Sequence, residues 1–141
     1  MVERLRNITE GLGWKFYYGR RDFQNLVDAE SEDDPKWYFF LDPFESEKTY
    51  KIEKQHRGRF MLLSKSDLDE EYDQQTGERD VEEGKWRKYI LPKRDYLDNE
   101  FEDIVECDGD LEITMRVVDV INLFNTGFDG VLVNFSIKEY L

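Results

Sequence analysis

Val2, Leu5, Ile8 and Leu12 recur three or four residues apart, the spacing of one helical face, and Gly11 and Gly13 close the pattern. A short amphipathic helix is expected there. Aromatic Trp14 to Tyr18, between Gly13 and Gly19, predicts a strand. Asp22 is placed to cap a helical turn carrying Phe23, Leu26 and Val27. Asp28 to Pro35 holds five carboxylates that repel one another in any compact form, so it reads as a solvated loop. Lys36 to Asp42 is apolar on both faces and predicts a buried strand. Pro43 ends it, because proline has no N–H for the ladder. Tyr50 to Gln55 and Gly58 to Ser64 read as two strands or one long bent strand, with a turn or bulge at Arg57-Gly58.

Asp67 to Gly77 is acidic and polar. Gly84 to Leu91 and Pro92 to Glu106 look helical. Leu97, Phe101, Ile104 and Val105 share one face with Tyr96 beside it, and Pro92 suits the first turn of the second piece. Asp108-Gly109-Asp110 is a turn. Leu111 to Phe124 is a long strand whose alternation slips at Val117-Val118-Asp119, which predicts a bulge. After a turn at Asn125-Thr126-Gly127, Val131, Val133, Phe135 and Ile137 alternate with Asn134, Ser136 and Lys138 in a half-buried last strand. The expected fold class is α+β. A mixed or antiparallel β-sheet ends in a C-terminal β-hairpin and packs against an N-terminal helix and a helical segment before the hairpin. With no repeat and no long linker, one domain is expected over 1–141, with acidic loops at 28–35 and 67–83.

Charged residues make up 38% of the 141-residue chain, a share that would suit disorder, but aromatics at 15% argue for a folded core. Acids outnumber bases 33 to 20, for a net charge of −13. A partner of nucleic acid must neutralise phosphates, so tight direct nucleic-acid binding is not expected, nor attraction to an anionic membrane. The first residues are too charged for the apolar stretch of a signal peptide. The longest apolar run, Trp37 to Leu41, is far short of a bilayer span and reads as core.

Cys107 and His56 are the only residues of their kinds, so no intrachain disulfide is possible and Cys/His zinc sites lack ligands. His56, between Gln55 and Arg57, reads as an exposed polar residue rather than a catalytic base. Cys107, between Glu106 and Asp108, reads as a helix-end packing thiol in poor surroundings for a reactive thiolate. Gly11-Leu12-Gly13 has Phe16 where a dinucleotide loop needs its third glycine. Carboxylates from Asp67 onward, with Glu78, fall at calcium-loop positions, but Tyr72 stands where the sharp turn needs glycine. No catalytic residue, cofactor or metal is expected, and the chain is not expected to be an enzyme. Asp67, Asp69, Glu70, Glu71 and Asp73 are candidate contacts for a basic partner, and Trp86 and Tyr89 are candidate aromatic anchors.

The element order resembles tail-terminator or tail-completion proteins of long-tailed phages, and small prophage proteins of the same size. It ends in the pair Ile113 to Phe124 and Phe128 to Ile137. Trp14 to Gly19 and Gly58 to Leu63 fit that layout. The resemblance is one of element pattern. The family has no catalytic signature, and no functional residue is carried over. The resemblance implies a sheet flanked by helices and a non-enzymatic subunit. The subunit would form a homo-oligomeric, hexameric ring that caps the tail tube and docks to the head connector. It would sit in the virion, and in the host cytoplasm during assembly. The acidic insert 67–83 departs from the pattern. The alternative is a cytosolic acidic adaptor or inhibitor that binds a basic protein.

Overall fold

The computed structural model describes residues 1–19, 37–65, 86–120 and 128–141. Helix α1, Val2–Gly11, buries Leu5 and Thr9, and the Thr9 hydroxyl donates to the Leu5 carbonyl at 2.9 Å. The backbone turns at Leu12 and Gly13 into strand β1, Lys15–Tyr18. Strand β2, Tyr38–Leu41, is buried on both faces, as its unbroken apolar run requires. Strand β3 is Ser46–Thr49 and strand β4 is Glu53–Lys65. The helical segment 86–105 comprises a π-wound turn Trp86–Ile90, α2 Leu91–Tyr96, a second π-wound turn Leu97–Phe101, and α3 Glu102–Val105. Strands β5, Leu111–Val120, and β6, Phe128–Tyr140, complete the order.

The strands form one six-stranded mixed sheet in the order β1-β2-β4-β6-β5, with β3 beside β4. β1 and β2 are parallel and all other pairs antiparallel. The α+β class, the N-terminal helix, the helical segment and the terminal antiparallel pair are as the sequence pattern predicts.

One open choice is decided and two further features differ from the pattern. Residues 53–65 are one continuous strand, the second of the two alternatives, and the register runs through Arg57-Gly58 without a turn or bulge. β3 carries no apolar signal, because all four of its residues are exposed and only its backbone pairing with Lys54–Arg57 makes it a strand. There is no bulge at 117–119. Val117 pairs with Val133, Val118 with Leu132 and Asp119 with Val131 without interruption. The apparent slip is an aspartate at an inward position. The expected cap at Asp22, loop 28–35, segment 67–83 and turn 125–127 lie outside the described residues.

One face of the sheet meets α1 and the helical segment. Trp14 stands at the junction, with Trp37, Tyr96 and Phe101 rings at 5.4, 5.5 and 5.7 Å. Phe39 and Phe60 stack at 4.5 Å below them. Ile90, Leu97, Phe101 and Val105 from the helical segment join Val131, Val133, Phe135 and Ile137 in the same cluster. Arg4 ties α1 to the turn before β5, with both terminal guanidinium nitrogens, Nη1 and Nη2, 2.6 Å from the Asp110 carboxylate. A smaller cluster of Tyr38, Phe40, Met61, Leu63 and Phe128 lies on the other face, at one end of the sheet.

β4 and β6 pair over their whole length, from Glu53 with Tyr140 to Lys65 with Phe128. At Gly130 a Cβ would sit 2.0 Å from the Leu62 carbonyl oxygen, so only glycine fits there. Gly130→Ala is expected to cost about 3 kcal/mol or more, because the clash is with backbone that cannot move without breaking the ladder. Gly11→Ala, with nothing within 4 Å, is expected to be neutral or stabilising by up to about 0.5 kcal/mol. Thermal and chemical denaturation of the two variants checks this contrast.

Candidate interaction surfaces

The helical segment is held to β5 by an inward carboxylate. Asp119 accepts from the Trp86 indole N–H at 3.0 Å and from Arg94 Nε at 2.6 Å. Trp86 is therefore half-buried, packed on the core, with its polar atom bonded within the chain. Tyr89 is also half-buried, and its carbonyl accepts a hydrogen bond from Lys93 Nζ. Both residues keep partial exposure, next to exposed Arg87 and Lys88. Asp67, Asp69, Glu70, Glu71 and Asp73 lie outside the described residues.

Lys93 is 1% exposed, on the face of α2 that meets the sheet. Its Nζ donates to Ser64 Oγ at 2.7 Å and lies 5.3 Å from the Trp37 ring centroid. Burial lowers its pKa to about 7, against the opposing pull of the buried Asp129 charge. This is the strongest electrostatic perturbation among the described residues. The amine faces the core, so its neighbours give it the part of a satisfied buried polar group.

His56 is buried, at 2% exposure, which corrects the expectation of an exposed residue. The polar strand β3 and Phe44 cover it. Its Nδ1 is 3.5 Å from Glu47 and its Nε2 is 4.0 Å from Glu139. Cys107 is exposed at the end of the helical segment, and so does not pack as expected. Among the described residues no group of three or more His, Cys, Asp or Glu is placed to hold a metal ion. No helix there is long and apolar enough to cross a membrane.

Acidic side chains gather on the outer side of the helical segment. Asp95, Asp98, Glu100, Glu102 and Asp103 are exposed, because Leu97, Phe101 and Val105 turn the opposite side into the core. A groove of about 380 Å³ between this segment and β5 is lined by Asp98, Glu102, Glu106 and Glu112. Burial, and then the charge of Glu102, raise the Glu106 carboxyl above the usual carboxylate range.

The face of the sheet away from the helices is richer in bases. Strand alternation puts Lys48, Arg57, Arg59, Arg116 and Lys138 on it, with the acids Glu53 and Glu112 and the polar Ser46, Thr114, Asn134 and Ser136. Arg59 is bonded to Asp42 at 2.7 Å. Among the described residues, Lys48, Arg57, Arg116 and Lys138 form no ion pair. Family models, curated proteins and solved structures were compared with this chain, and none matches.

Two titrations test these environments. The unfolded chain holds the lysine proton up to a pKa of 10.5, whereas folded Lys93 loses it near about 7. Between those values the unfolded chain binds more protons, so this group makes stability rise with pH, by up to about 1.4 kcal/mol per unit. Unfolding free energies measured from about pH 7.5 to 9.5 should show that rise, and Lys93→Met should remove it. In the acidic groove, Glu102→Gln should lower the Glu106 pKa towards the ordinary range. Carboxyl-carbon NMR titration reads the shift directly.

Proposed function

We propose that this chain is a non-enzymatic assembly subunit of a bacteriophage or prophage tail. In this reading it closes into a homo-oligomeric ring at the tail end or head–tail joint. The observation that carries the reading is the uneven charge of one protomer: acids crowd the outer side of the helical segment, and cations without ion pairs outnumber acids on the open sheet face. A contact between unlike faces is heterologous, and a heterologous contact that closes makes a ring. The element pattern that resembles tail-terminator and tail-completion proteins supports the same reading. Its partners are further copies of the chain, tail-tube proteins and head-connector proteins, in the virion and in the host cytoplasm during assembly. The net charge of −13 would let DNA pass a ring of such subunits without adhering.

The acid-lined groove favours a second reading, an acidic adaptor or inhibitor that takes a basic protein. Sedimentation equilibrium with native mass spectrometry separates the two. The tail reading expects a closed oligomer, a hexamer from the family resemblance, populated with rising concentration or on addition of tail-tube protein. A monomer under all these conditions would overturn it and favour the adaptor.

A further inference from the structure

The open sheet face carries a shallow pocket rimmed by basic and polar side chains. Arg57 and Arg116 flank this pocket of about 260 Å³, whose lining includes Thr114, Asn134 and Ser136. The register explains the gathering. Arg57, Ser136 and Thr114 form one cross-strand row, and Arg59, Asn134 and Arg116 form the next. The backbone between these rows, at Gly58, Phe135 and Met115, makes the floor, since those side chains point to the helical face. Glu45 at the rim is the one carboxylate in the lining, against two guanidinium groups. Arginine forks, hydroxyls and an amide form the donor set that recognises a carboxylate.

The other described arginines on long-range contacts are already neutralised: Arg4 by Asp110, Arg59 by Asp42 and Arg94 by Asp119. Arg57 and Arg116 are exposed and form no ion pair among the described residues. Two copies carrying −13 each repel at a distance. They gain from meeting only where bases face acids, and on the described surface four bases without ion pairs, Lys48, Arg57, Arg116 and Lys138, share this face, while Lys51 and Arg87 stand elsewhere.

We infer that the Arg57–Arg116 pocket receives carboxylates from the helical surface of a second copy of this chain, with Asp98 and Glu102 as the entering groups. This rests on the assembly reading above and names the faces that meet. Asp98 and Glu102 stand on the helical segment, in a groove that adjoins the pocket along β5, where Thr114 and Met115 line both, so each copy offers the two halves of the contact as separate patches. A contact between two unlike patches is heterologous and can propagate from copy to copy.

The test compares the full chain with two charge-reversed forms, Arg57→Glu/Arg116→Glu and Asp98→Arg/Glu102→Arg. Circular dichroism checks folding, and sedimentation velocity is run at low and high salt. The wild type should assemble, less so at high salt. Each reversed form alone should associate about tenfold more weakly or worse, since like charges then face each other. An equimolar mixture of the two should assemble again, because every contact pairs opposite charges. Should a reversed form not fold, Arg57→Gln/Arg116→Gln should still weaken assembly. Wild-type assembly that both reversals leave unchanged overturns the pocket assignment and leaves the assembly reading standing. A wild type that stays monomeric overturns both. If wild type instead binds a DNA oligonucleotide, and Arg57→Glu/Arg116→Glu abolishes it, the pocket takes phosphate and the inference fails.

Discussion

The pairing of β4 with β6 governs the rest of the structure. It runs unbroken from Glu53–Tyr140 to Lys65–Phe128, and the Leu62 carbonyl leaves no room for a side chain at Gly130. Side chains alternate along a strand, so a slip of one residue would carry Val131, Val133, Phe135 and Ile137 to the open face. It would also push Asn134, Ser136 and Lys138 under the helices. The register therefore divides the molecule into a side that packs under the helices and a side that is polar around Arg57 and Arg116 and carries the smaller apolar cluster at its other end. The placement of surface charge follows from that division.

Much of this is readable in the sequence where burial dictates residue type. The period of α1, the apolar run at β2 and the alternation of β6 all report apolar side chains turned to one core. The parts that are not readable share another cause. β3 is polar and exposed, held by backbone bonds that leave no mark on side-chain choice. His56 is covered by that strand, so its burial could not be foreseen without it. Asp119 sits at an inward position because Trp86 and Arg94 satisfy it, and one inward acid breaks the alternation that a reader counts. Lys93 sits on the buried side of α2 for a similar reason. The cations of the open face are visible singly at 57, 116 and 138, but only the register brings them together.

Charge placement follows the same layering. The helical segment turns its apolar side to the sheet, so its many acids have only the outer side to occupy. The strands offer outward positions on the opposite face, and there bases collect. A chain with a large net negative charge thus has a strong internal polarity. The total charge governs solubility and long-range repulsion, whereas the polarity governs how a neighbour is oriented on approach.

β5 is an edge strand of the described sheet, ten residues long. An edge of that length presents unpaired backbone groups, the usual template for amyloid-like growth. Its side chains act against this. Glu112 and Arg116 are exposed along it, and Asp119, turned inward and fastened to Trp86 and Arg94, sits near its far end. An inward charge on an edge is a recognised guard against strand addition, because a shifted or newly paired strand would strand that charge without partners. The acid that disguises the strand in the sequence thus also ties the edge strand to the helical segment, which holds β5 in place beside β6.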